Sequence, residues 1–186
     1  MDLKLFQLLH GLMGRSSVVD WFAIFTAKYL PYALALAAII VIFRNKNWRH
    51  KMWVLLTLTF SLLVSYGFLS TIIHYFYNRP RPFTLLQFTP PFIPDTVSAF
   101  PSNHATIFFT IAYVMFLINK KTGYWFLGLA LLNGVARVMV GVHWPFDISG
   151  GAVVALIGFL VAQKIFPEHD FIETSTESKE VTTNND

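Results

Sequence analysis

Apolar runs long enough to cross a bilayer alternate along this chain with short polar turns. The first run covers about 18–43 and is followed by the basic turn "RNKNWRHK" at 44–51. A second covers about 52–77, and a third begins near 104 and ends at "NKKTG", residues 119–123. A fourth covers about 124–142, and a turn at "HWPF" leads into a fifth over about 145–166. Ahead of them all, residues 3–13 set Leu5, Phe6, Leu9, Leu12 and Met13 on one helical face. That spacing suits a helix lying in the membrane interface, and equally a first helix packed on the bundle. The pattern therefore predicts an all-α integral membrane protein, a bundle of about five transmembrane helices plus an N-terminal amphipathic interfacial helix.

Two stretches break the pattern. Residues 78–103 hold six of the nine prolines and cannot form a spanning helix. The tail over 167–186 is acidic and rich in Ser and Thr, so it is expected to be disordered, leaving 1–166 as a single membrane-embedded domain.

Composition sharpens this reading. Only 13% of the residues are charged, about half the share usual in soluble domains. A net charge of +4 is compatible with nucleic acid as a partner, but the basic residues sit in the turns between apolar runs, where they set membrane topology. No nucleic-acid partner is expected; the partners are membrane lipids. The absence of cysteine excludes disulfides, thiolate metal sites and cysteine nucleophiles. The N-terminus lacks the basic start and clean apolar core of a cleaved signal peptide. Placing 44–51 and the lysines of "NKKTG" in the cytoplasm turns the N-terminus, the proline-rich segment and the "HWPF" turn outward.

The unusual polar residues gather at that outer level. They are Arg79 and Arg81 in "NRPRPF", Ser102, Asn103 and His104 in "FPSNH", and Arg137, His143 and Asp147 in "RVMVGVHWPFD". Charges near a bilayer cost roughly 2.5–3.5 kcal/mol each at its centre, so three together call for a function. Pro145 suits the first turn of a helix, which leaves His143 in the preceding turn and Asp147 within hydrogen-bonding reach of it. A carboxylate on one ring nitrogen fixes the tautomer and makes the other a better nucleophile. His104 follows "PSN" at a helix start, where free backbone N–H groups favour anions and Ser102 can cap or donate. Arginine forks match phosphate oxygens. An anion cradle, an oriented histidine and a second histidine free to act as acid suit phosphoryl transfer through a phosphohistidine. Asp147 and the isolated Asp95 make no acidic cluster for a divalent cation, so no metal and no cofactor are expected.

These residues also carry a resemblance. The type-2 phosphatidic acid phosphatase superfamily has the motifs K-x6-R-P, P-S-G-H and S-R-x5-H-x3-D. Here they read H-x6-R-P from His74 to Pro82, P-S-N-H from Pro101 to His104, and A-R-x5-H-x3-D from Ala136 to Asp147. The resemblance implies that His143 attacks phosphorus, Asp147 orients it and His104 protonates the leaving group. It implies further that Arg81, Arg137, Ser102 and the N–H of Asn103 hold the phosphate. The opening "HGL", "SVVDWFAIFT" and "PRPF" look more specifically like bacterial undecaprenyl-diphosphatases of the bacitracin-resistance type. That implies an isoprenoid lipid diphosphate substrate, carrier-lipid recycling for peptidoglycan synthesis, and a multi-pass protein of the bacterial cytoplasmic membrane with its site on the extracytoplasmic side.

The chain departs from the motifs at three places. His74 replaces lysine, Ala136 replaces serine and Asn103 replaces glycine. His74 is itself a candidate phosphate ligand, and Arg79 or Lys28 is available to supply the missing charge. Two alternatives stand beside this reading. One is a phosphatase of another lipid, such as phosphatidylglycerophosphate or phosphatidic acid. The other is a membrane protein holding haem between His104 and His143, against which the surrounding arginines and aspartate argue.

Overall fold

Every element of the computed structural model is a helix, and it describes residues 1–94, 98–168 and 171. Asp95 and most of the 167–186 tail lie outside the described residues, and with them the expectation of a disordered tail. α1 covers Asp2–His10, α2 Ser17–Lys28 and α3 Leu30–Phe43. α4 (Trp48–Leu62) continues through a π-helical stretch, Leu63–Ser70, into α5 (Thr71–Phe76). Within the proline-rich segment only the short α6 (Pro82–Leu86) forms. α7 (Asn103–Met115), α8 (Lys120–Met139) and α9 (Pro145–Ile165) complete the bundle.

Two helices among the described residues are long and apolar enough to cross a membrane, 48–76 and α9. A third joins them if α2 and α3, which meet at a 49° bend, count as one span. Pro31 at the start of α3 accounts for that bend, because its ring cannot continue the helix before it. The remaining two expected spans fall short for identifiable reasons. α7 has 13 residues, or about 20 Å of rise against a hydrocarbon core of about 30 Å. α8 carries two lysines at its start and Asn133 and Arg137 further along. Both polar side chains are buried: Asn133 Nδ2 donates to the Thr26 carbonyl at 2.8 Å, and α7 packs chiefly on α8 and α9. Helices shielded from lipid in this way do not need a uniformly apolar surface.

The turn expected at 119–123 is largely helical. Asn119 takes the N-cap position of α8 and its Oδ1 accepts the Thr122 N–H at 2.8 Å, so the helix starts at Lys120. α1 is docked on the bundle rather than merely laid beside it. Phe6 is 1% exposed, whereas Leu3, Leu5, Leu8 and Leu12 face outward.

A seam of small hydroxyl residues joins the π-helical stretch and α7. Ser65 and Thr110 hydroxyls lie 3.0 Å apart, Ser70 Oγ donates to Thr106 Oγ1 at 3.4 Å, and Thr106 Oγ1 donates to the Ser102 carbonyl at 3.1 Å. Small and hydroxyl residues let helices approach closely where lipid supplies no hydrophobic drive. A close helix approach also brings α9 onto the start of α7. A Cβ on Gly151 would stand 2.7 Å from Ala105 Cβ and 3.0 Å from the Ser102 carbonyl oxygen. Gly151→Val is therefore expected to destabilise the protein by about 1–3 kcal/mol through overpacking. A lowered unfolding temperature in detergent, with reduced activity, is the result to look for.

Candidate active site

Backbone bonds stitch the three polar patches together at one end of the bundle. Ala99 N–H donates to the Arg79 carbonyl at 2.9 Å, and Ser102 N–H donates to the Asp147 carbonyl at 3.0 Å. Trp144 Nε1 donates to the Pro80 carbonyl at 2.9 Å. Segments far apart in sequence are thus fixed to one another before any catalytic side chain is considered.

The turn before α9 forms as its sequence dictates. Trp144 is extended, Pro145 starts the helix, and Asp147 Oδ2 accepts the Trp144 N–H at 2.7 Å. His143 stands in the turn and is 2% exposed. Its Nδ1 lies 3.0 Å from the Ala99 carbonyl oxygen and 3.5 Å from Asp147 Oδ2. A carbonyl can only accept, so Nδ1 carries the proton and Nε2 keeps its lone pair. The closest orienting partner of His143 is thus a backbone carbonyl, with the aspartate just behind it. Nε2 lies 3.2 Å from Arg81 Nη1.

Burial, then the charges of Arg137 and Arg81, push the His143 imidazolium well below the ordinary histidine range. Arg81 is buried too; its guanidinium donates to the Val142 carbonyl at 2.8 Å and the Ser98 carbonyl at 3.1 Å. Burial lowers Arg81 to about 10, against the pull of Asp147, so it keeps its charge at neutral pH.

Arg137 is 3% exposed. Its Nη1 donates to the Ala27 carbonyl at 3.3 Å, Phe92 lies against its guanidinium, and Nε is buried without a partner. Among the described residues it has no carboxylate partner. Ser102 caps α7, accepting the Ala105 N–H at 3.4 Å, and the Asn103 Oδ1 beside it is likewise buried and unpartnered. His104, in the first turn of α7, packs against Phe108 and lies within electrostatic reach of Arg137, His143 and Arg81.

Two candidates sit differently from the rest. His74 Nε2 donates to the Pro101 carbonyl at 2.9 Å, tying α5 to the "PSNH" segment. Arg79 is engaged by two carboxylates: Nη1 donates to Asp147 Oδ1 at 2.6 Å, and Nη2 to Asp2 Oδ2. Lys28 is exposed at the end of α2 against the Tyr29 ring. Sequence reasoning missed Asp2 and assigned nothing to His10. Asp2 Oδ1 accepts the Phe146 N–H at 3.0 Å, and His10 Nδ1 donates to the Met139 carbonyl at 2.7 Å. Neither residue belongs to a motif, and only the docking of α1 reveals them. Beside this cluster a cavity of about 470 Å³ is lined by Tyr77, Arg79, Phe100, Phe146, Ser149, Gly150 and Val153.

The chain belongs to the PAP2 superfamily, whose family model matches residues 54–170. It is a helical membrane phosphatase of that class. It is 34% identical over 164 residues to the undecaprenyl-diphosphatase BcrC of Bacillus subtilis (strain 168), a match covering 86% of this chain and 82% of that one. It is 28% identical to the bacitracin transport permease protein BcrC of Bacillus licheniformis, covering 92% and 84%. Its fold resembles the crystal structure of Aquifex aeolicus LpxE with a TM-score of 0.66 at 26% identity, covering 88% of this chain and 94% of that one.

Proposed function

We propose that this protein hydrolyses undecaprenyl diphosphate to undecaprenyl phosphate and inorganic phosphate, without a metal, through a phosphohistidine on His143. The observation that carries the reading is Arg137, a buried cation with no carboxylate partner among the described residues. Such a charge is costly to bury unless an anion completes it. Arg81, the Ser102 hydroxyl and the Asn103 N–H converge on the same end of the bundle, and the B. subtilis relative bears the name of a diphosphatase of this lipid.

In the first step His143 Nε2 attacks the terminal phosphorus and a P–N bond forms. The P–O bond to the bridging oxygen breaks, and that oxygen leaves on the lipid monophosphate with a proton from His104. In the second, His104 takes a proton from water, whose oxygen attacks phosphorus; the P–N bond breaks and releases phosphate and free His143. Arg81 and Arg137 supply the charge stabilisation that a cation supplies in other phosphoryl transfers. The two carboxylates near the site are already engaged by Arg79, which supports chemistry carried by arginine rather than by a carboxylate-bound metal.

The apolar cavity walled by Tyr77, Phe100, Phe146 and Val153, which Arg79 borders, is the surface this reading assigns to the lipid's first isoprene units. The rest of the proposal is topological. Residues 1–166 form one domain crossing the bacterial cytoplasmic membrane five times, as α2 with α3, 48–76, α7, α8 and α9; α7, too short to span lipid by itself, is enclosed by α8 and α9. α1 lies at the outer interface and the site faces outward. The test is phosphate release from undecaprenyl diphosphate in detergent with excess EDTA, beside phosphatidylglycerophosphate and phosphatidic acid. Fastest release from undecaprenyl diphosphate, unchanged by EDTA, is expected. Faster cleavage of another lipid would overturn the substrate, and loss in EDTA would overturn the metal-free mechanism.

A further inference from the structure

Asp2 reaches the active site from the far end of the sequence. Three contacts hold α1 there: Phe6 packs on Trp144 with ring centroids 5.0 Å apart, His10 Nδ1 donates to the Met139 carbonyl, and Asp2 itself bonds the Phe146 N–H. The other Asp2 oxygen takes Arg79, whose opposite Nη donates to Asp147 Oδ1. The Asp147 side chain is fully buried, and those of Asp2 and Arg79 are only 13% and 20% exposed.

The arrangement has an electrostatic consequence. Arg79 alone would cancel the charge of Asp147, leaving a neutral pair behind His143. With Asp2 on its other side, Arg79 is shared, and the trio Asp2–Arg79–Asp147 carries a net charge of −1. His143 becomes cationic when its Nε2 bonds phosphorus, because Nδ1 keeps its proton. The groups facing it otherwise are Arg81, Arg137, His104 and His74, none of which supplies negative charge.

We propose that Asp2 is a positioning residue of the reaction: by sharing Arg79 with Asp147 it keeps net negative charge behind His143 as the phosphohistidine forms. The inference rests on the reading of His143 as nucleophile. It places the Asp2 effect on the chemical step rather than on headgroup binding, since Asp2 acts through Arg79 on Asp147, which faces the Nδ1 side of His143 and not the Nε2 that meets phosphorus.

Asp2→Asn tests this: the amide oxygen still accepts the Phe146 N–H, while the charge and the acceptor for Arg79 Nη2 are both lost. Its kcat on undecaprenyl diphosphate is expected to fall about tenfold with KM changed less than about twofold, the scale of one uncompensated nearby charge at moderate dielectric. Adding Arg79→Gln returns the trio to −1, so the double variant is expected to regain most of the lost kcat. His143→Ala is run beside them. Full activity in Asp2→Asn with a silent His143→Ala overturns the inference and leaves the nucleophile standing. A double variant no faster than Asp2→Asn shows that Asp2 only anchors α1, and also overturns it. Activity surviving in His143→Ala overturns the site reading on which the inference stands.

Discussion

His143→Ala is expected to release no phosphate above background from a lipid diphosphate that the wild type cleaves, a loss of at least about 10⁴-fold. The magnitude follows from the role: His143 offers a buried Nε2 lone pair, fixed by the Ala99 carbonyl on Nδ1 and set beside Arg81. Labelled terminal phosphate should appear on the wild-type chain as an acid-labile, base-stable adduct and be absent from the variant. Unimpaired release by His143→Ala would sink the nucleophile assignment. Acid behaviour gives a second readout of the same residue. Because burial and the neighbouring arginines hold folded His143 well below the usual range, the unfolded chain binds a proton there at a pH where the native chain does not. The stability contributed by neutral His143 is therefore fully present above the unfolded pKa, about 6.5, and is lost as pH falls below it. Unfolding temperature should drop between pH 7.5 and pH 5 more in the wild type than in His143→Ala.

How much of this was written in the sequence varies with the kind of interaction. Apolar runs gave the helices, because periodicity records which faces meet lipid or core. They could not give the π-helical stretch over Leu63–Ser70, since a shift to wider turns leaves the residue pattern unchanged. Nor did they reveal that α8 starts at Lys120, although Asn119 is a strong cap and was the signal to use. The amphipathic spacing of 3–13 does not by itself decide between lipid and bundle. Phe6 settles on Trp144 while Leu5 and Leu12 stay exposed.

The candidate site was legible as a list of side chains, which the structure gathers at one end of the bundle, because charge in an apolar chain is conspicuous. Its wiring was not. His143 is oriented first by the Ala99 carbonyl, His74 holds the Pro101 carbonyl, and Arg81 bonds the carbonyls of Val142 and Ser98. Backbone acceptors have no residue identity, so no motif announces them. Arg79 read as a spare phosphate ligand because a sequence shows a cation and not its partners; the structure gives it Asp2 and Asp147.

Arg137→Met is expected to separate stability from function. Methionine keeps the apolar stem of arginine, though it ends short of the guanidinium, and removes a buried charge that has no carboxylate partner among the described residues and an orphaned Nε. The loss of one 3.3 Å bond to the Ala27 carbonyl opposes the gain, at about 1 kcal/mol. Replacing buried ionic groups by apolar ones of similar volume is often neutral or stabilising by about 1–4 kcal/mol. The unfolding temperature should therefore stay level or rise. Activity should fall by about 10²–10³, the range for removing one preorganised donor from a developing oxyanion. Inorganic phosphate or vanadate adds the decisive contrast, since a ligand that binds the native state raises its unfolding temperature. Such a rise is expected in the wild type and not in Arg137→Met. If instead the variant unfolds several degrees lower and still responds to phosphate, Arg137 is a structural strut between α2 and α8, and the anion site must be built from other residues.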